Sequence, residues 1–233
     1  MRSSNWIVLA VALVLATPAA ADAPRILEGS VPANGLETVH LDAGVGDIEI
    51  TAIKGTDEVS FEVQLKPRRG GFFSSMKKAQ REVDEAELRM DVSKGVLRLE
   101  IEIENDDRHF EEKWTLELPA RLGFNLDLGV GDVDVRGLSG NLTVDIGVGE
   151  LRAESVSGDI NIDVGVGDAS VEAAAVDYSS VAGSGGVGNA QLTVRGEKIS
   201  SSGFIGKSAE WTGDGAHVIE ISVGVGDAKV TLE

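Results

Sequence analysis

Residues 142–153 read Leu142-Thr143-Val144-Asp145-Ile146-Gly147-Val148-Gly149-Glu150-Leu151-Arg152-Ala153. Counting back by twos from Val148, the apolar positions Ile146, Val144 and Leu142 alternate with polar ones, which is the signature of a strand with one buried face. The apolar set resumes three residues after Val148, at Leu151 and Ala153. An odd step means the chain gains a residue there, as in a bulge or bend, and glycine tolerates the backbone such a bend needs. The unit therefore reads as strand, Gly-Val-Gly corner, strand, with the valine counted among the inward residues.

The unit recurs. Its corner stands at Gly44-Val45-Gly46-Asp47, Gly129-Val130-Gly131-Asp132, Gly147-Val148-Gly149-Glu150, Gly165-Val166-Gly167-Asp168, Gly186-Val187-Gly188-Asn189 and Gly224-Val225-Gly226-Asp227, with a degenerate copy at Phe204-Ile205-Gly206-Lys207. From Gly129 onward, a period of about 18 to 21 residues signals one structural unit per repeat, stacked so that neighbours bury an aliphatic ladder no single unit could bury alone. The predicted fold is all-β: a stacked, solenoid-like repeat domain. Its regular part covers residues 121–233 and a less regular β part covers 22–120, the two forming one continuous domain.

Within the N-terminal part, Val59-Ser60-Phe61-Glu62-Val63-Gln64-Leu65 alternates as a strand, and residues 88–92 and 97–103 pair as a hairpin about Ser93-Lys94-Gly95. Trp114, Leu116 and Leu118 form a further strand before Pro119. Residues 66–87 interrupt the pattern, and there Ser74-Ser75 is placed to cap a short helix with Met76, Ala79, Val83 and Ala86 on one face. In the repeat part, Val181, Gly183 and Gly185, then Ile199, Ser201 and Gly203, fall on inward positions that elsewhere carry Ile or Leu. Tyr178 or Trp211 is expected to fill that thin stretch.

The first residues bear on the compartment. Arg2 precedes an apolar run from Trp6 to Ala16 and the small residues Ala19-Ala20-Ala21. A charged start, an apolar stretch and a small-residue cleavage site form a secretory signal, here spanning 1–21, and the run is shorter than the roughly 20 residues a spanning helix requires. The chain carries a net charge of −18, and loss of the one positive charge of Arg2 takes the processed protein to −19. Such acidity opposes nucleic acid, whose phosphates it would repel. The absence of cysteine excludes disulfide staples and a lipid-modified N-terminal cysteine. An exported protein of the bacterial periplasm or cell surface is the expectation.

Taken together, the leading segment, the early Gly-Val-Gly-Asp-Ile-Glu-Ile at 44–50, the irregular middle, and the Gly-x-Gly-Asp corners separated by Gly137-Leu138-Ser139-Gly140 and Val156-Ser157-Gly158-Asp159 resemble the toastrack, or putative-adhesin, family of bacterial envelope proteins. The resemblance covers nearly all of the chain after the leading segment. It implies an all-β stack and a role at the envelope, the family's members mostly lacking an assigned activity; a non-enzymatic binding or scaffolding module is the expectation. The family usually carries Gly-Ser-Gly-Asp or Gly-Asn-Gly-Asp at the corner, so valine at 45, 130, 148, 166, 187 and 225 is a departure, read as making the inner face more apolar.

Site chemistry is sparse. The corner acids Asp132, Glu150 and Asp168 would stack about 4.8 Å apart in a parallel solenoid. Calcium-binding repeats also have coils of this length, but they place a residue between the last glycine and the aspartate. Here Asp follows Gly directly, and Asn189 and Lys207 interrupt the acids, so the corner side chains are expected to accept backbone N–H groups and no metal is assigned. Gly183-Ser184-Gly185-Gly186-Val187-Gly188 spells a dinucleotide-type G-x-G-x-x-G, yet a strand follows it where a helix is needed, and no cofactor is assigned. Asp127, Asp145 and Asp163 recur at the period but face solvent, and His40, His109 and His217 are dispersed. No catalytic residue is assigned; a polysaccharide-degrading solenoid enzyme or a calcium-binding repeat protein is the alternative.

The one binding candidate is basic. Lys66, Arg68, Arg69, Lys77, Lys78 and Arg81 lie in a stretch with no acidic residue, and Phe72-Phe73 sits at its centre beside Gly70-Gly71. Aromatics flanked by cations suit contact with an anionic membrane surface or an acidic polymer. The expected partners are therefore an envelope polymer, the membrane surface or an envelope protein. Self-association through exposed strand edges at the ends of the solenoid is a further expectation.

Overall fold

The computed structural model describes residues 24–68, 76–103, 109–200 and 206–233. The segment read as a secretory signal, and Arg69, Phe72, Phe73, Ser74 and Ser75, lie outside the described residues. Among the described residues no helix is long and apolar enough to cross a membrane.

The chain begins with β1 (Arg25–Pro32), β2 (Thr38–Val45), β3 (Ile48–Ile53) and β4 (Glu58–Pro67). Helix α1 (Met76–Glu85) follows, then β5 (Glu87–Ser93), β6 (Val96–Glu102) and β7 (Phe110–Pro119). The repeats supply β8 (Gly123–Val130), β9 (Val133–Arg136), β10 (Leu142–Val148), β11 (Leu151–Val156), β12 (Ile160–Val166) and β13 (Ala169–Ala173). Then come β14 (Tyr178–Val187), β15 (Ala190–Val194), β16 (Glu197–Ser200), β17 (Lys207–Thr212), β18 (His217–Val225) and β19 (Ala228–Leu232). The strands, the hairpin and the short helix expected from the sequence are all present, and the hairpin turn places both Lys94 and Gly95 at positive φ.

Two sheets face each other. One runs β1-β4-β7-β3-β9-β11-β13-β19-β15-β16 and the other β17-β14-β18-β12-β10-β8-β2-β6-β5. Each repeat contributes one strand to each sheet, joined at its Gly-Val-Gly corner, and the repeats stack in parallel register: Val144 opposite Leu126 and Ile162, Ala153 opposite Val135 and Val171. The inward side chains form one apolar core reaching from Leu27 to Leu232.

The stack does not follow chain order. The last repeat, β18–β19, is inserted between β12–β13 and β14–β15. The chain first builds the outer rung, folds back over it as the antiparallel strands β16 and β17, and returns to fill the gap. One sequence expectation is thereby corrected. The end of the degenerate copy at 204–207 does not join a parallel rung, since Lys207 opens the antiparallel strand β17; Phe204 and Ile205 lie outside the described residues. The C-terminal strand β19 lies inside its sheet, between β13 and β15. Antiparallel strands also flank the other end, where β4 and β1 follow β7 and β5 follows β6. Parallel interior rungs would otherwise end in unpaired backbone, and an antiparallel return strand pairs it using a short connection.

A second correction concerns the corner valines. They are exposed: Val130 43%, Val148 46%, Val166 47%, Val187 53% and Val225 49%. The inward set passes directly from Ile146 to Leu151, and Val148 stands at the convex apex between the sheets, where no facing layer exists to cover it. The valines therefore add nothing to the inner face.

The thin stretch is partly filled as expected. Tyr178 is fully buried and Trp211, opposite Val181, packs against the core. Gly183 is buried, and a Cβ built on it would meet nothing within 4 Å. Ser201 and Gly203 lie outside the described residues.

Candidate functional site

The corners form one continuous edge of the molecule. Backbone bonds run straight through them from rung to rung: the Gly149 N–H donates to the Val166 carbonyl at 2.9 Å and the Leu151 N–H to the Asp168 carbonyl at 2.8 Å. So close a stacking explains both glycines. A Cβ on Gly147 would lie 2.6 Å from the Gly129 carbonyl oxygen, and one on Gly149, whose φ is +154°, would lie 1.8 Å from that of Gly131.

The acids after the corner serve this stacking, as the turn reading expected, but they cap the neighbouring rung and not their own. The Glu150 N–H donates to Asp132 Oδ1 at 2.9 Å, the Asp227 N–H to Asp168 Oδ1 at 2.7 Å, and the Asn189 N–H to Asp227 Oδ1 at 2.7 Å. Asn189 thus continues the ladder that the sequence reading had it interrupt. The opposite corner repeats the device, with Asn141 Oδ1 accepting from the Asp159 N–H and Asp159 Oδ1 from the Val218 N–H, each at 3.1 Å. Among the described residues no three acids or histidines are grouped so as to hold a metal ion.

On either side of the edge the two outer faces differ. Toward β9–β19 a shallow groove of about 700 Å³ is lined by Asp132, Asp134, Glu150, Arg152, Asp168 and Lys229, among others. Cations there neutralise acids within the face: Arg136 meets Glu49 at 3.5 Å and Glu154 at 3.7 Å. Toward β8–β12, Asp42, Asp127, Asp145 and Asp163 form an exposed column in register. Equivalent carboxylates one rung apart, all pointing outward, do not converge on one bond as a glycosidase pair must. Asp127 sits 3.4 Å from His40.

The basic candidate lies at the other end of the chain's stack. Lys66 and Arg68 are exposed at the close of β4, where the Arg68 N–H donates to the His109 carbonyl at 2.7 Å. Helix α1 packs beside β4 and β7, burying Ala79 and Val83. It brings Lys77, Lys78 and Arg81 to the same end. Lys77 is exposed; Lys78 lies 3.8 Å from Glu82, and Arg81 lies 3.7 Å from Glu85.

Several residues in this region were not foreseen. Glu82 is buried on the helix face expected to be apolar, where it accepts the His109 N–H at 2.8 Å and meets its ring Nδ1 at 3.1 Å. Arg25 donates to the carbonyls of Val83, Asp84 and Ala86, closing the C-terminal end of α1. Buried Glu112 accepts Trp114 Nε1–H at 2.8 Å and the Gly44 N–H at 3.5 Å. No local pattern announces these contacts. The exposure of the valines did have a signal: a glycine on each side marks an apex, not a continuing strand.

A solved structure shares this architecture. A putative cell adhesion protein from Clostridium sporogenes superposes with a TM-score of 0.58 over 90% of this chain and 100% of its own, at 20% identity. A putative adhesin from Parabacteroides merdae aligns over 88% of this chain and 95% of its own at 11% identity and a TM-score of 0.27. A putative lipid binding protein from Parabacteroides distasonis aligns over 88% and 96% at 9% identity and 0.24. No family model matches the chain, and no curated protein matches it. The first likeness establishes the fold, an all-β corner-repeat stack, and at that level it bears out the resemblance read from the corners.

Proposed function

We propose that this chain is an exported, non-enzymatic binding or scaffolding module of the bacterial envelope, meeting an anionic membrane surface or acidic envelope polymer through the basic end of its stack. One observation carries the reading: the fold gathers Lys66, Arg68 and Lys77, all exposed, at one end of a body whose net charge is −18. Although Glu111 stands in register opposite Lys66, a group of exposed cations gives an anionic surface a local point of attachment on an otherwise acidic molecule. The sequence adds Arg69 and the pair Phe72-Phe73 between these cations, rings suited to enter an interface while cations pair with phosphate or carboxylate. The fold shared with the Clostridium sporogenes protein, named for cell adhesion, accords with a binding role. Export rests on the leading segment 1–21.

The test is cosedimentation with anionic vesicles, neutral vesicles and acidic glycans. The parent is compared with a variant carrying Arg68→Gln, Arg69→Gln, Phe72→Ser and Phe73→Ser. Binding by the parent to one anionic target, lost in the variant and weakened by salt, is the expected result. Equal binding by both proteins, or none by either at low salt, overturns the reading.

A further inference from the structure

The corner valines form a single line. Their register is Val45 opposite Val130, Val130 opposite Val148, Val148 opposite Val166, Val166 opposite Val225 and Val225 opposite Val187. Adjacent strands lie about 4.8 Å apart, so the line is about 24 Å long. From Val130 onward each side chain in it is close to half exposed, and it is bordered on both sides by glycine, so nothing taller than backbone stands beside it. Scattered exposed valines are ordinary on a protein surface; a contiguous, unbroken apolar strip marks an interaction surface.

What flanks the strip identifies the partner. On one side runs Asp42, Asp127, Asp145 and Asp163; on the other run Asp47, Asp132, Glu150, Asp168 and Asp227. All are exposed, and neither column contains a lysine or arginine. The outward positions of β2, β8, β10, β12, β14 and β18 also lack any lysine or arginine. Cations enter only beyond the second column, where Arg136, Arg152 and Lys229 stand on the β9–β19 face, so the two columns that border the strip repel anionic lipid and the same strip of a second copy. The complementary object carries an apolar stripe with cations on both borders.

We infer that the valine strip is a docking ridge for a basic amphipathic segment of a partner protein, its apolar stripe seated on Val130, Val148, Val166 and Val225 and its lysines or arginines reaching the carboxylate columns. A helix of about 16 residues matches the length of the strip at 1.5 Å per residue. This surface is separate from the basic end and does not depend on it.

The probe is a synthetic 16-residue peptide with leucines on one helical stripe bordered by lysines, set against a scrambled peptide of the same composition. Binding to the full chain is followed by fluorescence anisotropy. The key variant carries Val130→Thr, Val148→Thr, Val166→Thr and Val225→Thr, which keeps β-branching and shape while removing the apolar surface; its thermal transition confirms that it is folded. The parent should bind the patterned peptide at least tenfold more tightly than the scrambled one, and the threonine variant should lose that preference while keeping weak, salt-sensitive binding to both. Equal affinity of the parent for the two peptides, or an unchanged preference in the folded variant, overturns the inference. Should the four-fold variant fail to fold, Val148→Thr with Val166→Thr gives the same comparison. None of these measurements involves vesicles or glycans, so their outcome is independent of the basic end.

Discussion

The carbonyl oxygen of Gly131 occupies the space a side chain on Gly149 would need: a Cβ there would lie 1.8 Å from it. The same contact recurs along the corner, with Gly131 against Gly46 and Gly167 against Gly149, also at 1.8 Å. Because that oxygen belongs to a rung hydrogen-bonded on both sides, it has nowhere to move. Gly149→Val is expected to prevent folding or to cost several kcal/mol, through overpacking and a backbone conformation β-branched residues avoid. A thermal transition within a degree or two of the parent's would show that the corner is more pliable than its geometry implies.

Removing a ladder acceptor is expected to be milder. Asp168→Ala deletes the acceptor of the Asp227 N–H at an exposed site and should cost about 1 kcal/mol in chemical denaturation, whereas Asp168→Asn, which keeps an oxygen there, should cost about half that or less. Calcium and chelator should leave the transition of either variant unmoved. A calcium-dependent rise in the parent, abolished by Asp168→Asn, would instead assign the ladder to metal.

Gly183→Ala should stabilise. The position is buried, the space around its Cβ is empty, and its backbone does not require glycine. Restricting the unfolded chain and filling the gap together predict a gain of about 0.5–1 kcal/mol, read as a higher denaturant midpoint at constant slope. Destabilisation would mean that the outer rung is packed more tightly than its residues indicate.

Alkaline pH should weaken the fold through one group. Tyr178, the only tyrosine in the chain, is buried, with its hydroxyl 3.4 Å from the Val156 carbonyl. Burial first, then the charges of Asp177 and Asp159, push its ionisation well above the ordinary value of 10.0. Folded protein therefore holds the proton where unfolded chain releases it, so stability is unaffected below pH about 10 and falls as pH rises beyond it. Ultraviolet absorbance of tyrosinate should appear only as the protein unfolds, and Tyr178→Phe should lose less stability between pH 9 and 11 than the parent. Tyrosinate forming at pH about 10 in folded protein would refute this.

The sequence by itself determined the repeating unit and much of its chemistry. Period-two alternation can be satisfied only by strands with one buried face, and paired glycines at a fixed period mark corners where backbones pass at contact distance. The short helix at 76–85 and the hairpin at 87–102 were legible for the same local reasons. Tertiary structure alone decided which rungs are neighbours. The 217–232 repeat is as good a partner for 178–194 as for 160–173, and only the return path through β16 and β17 places it between them. The corner valines lie between the two cases: their phase alone points inward, their flanking glycines mark an apex, and the joining of two sheets there leaves them outside. Tertiary structure also joined Glu82 to His109 and Arg25 to the end of the helix, contacts between segments 27 and about 60 residues apart that no local pattern encodes.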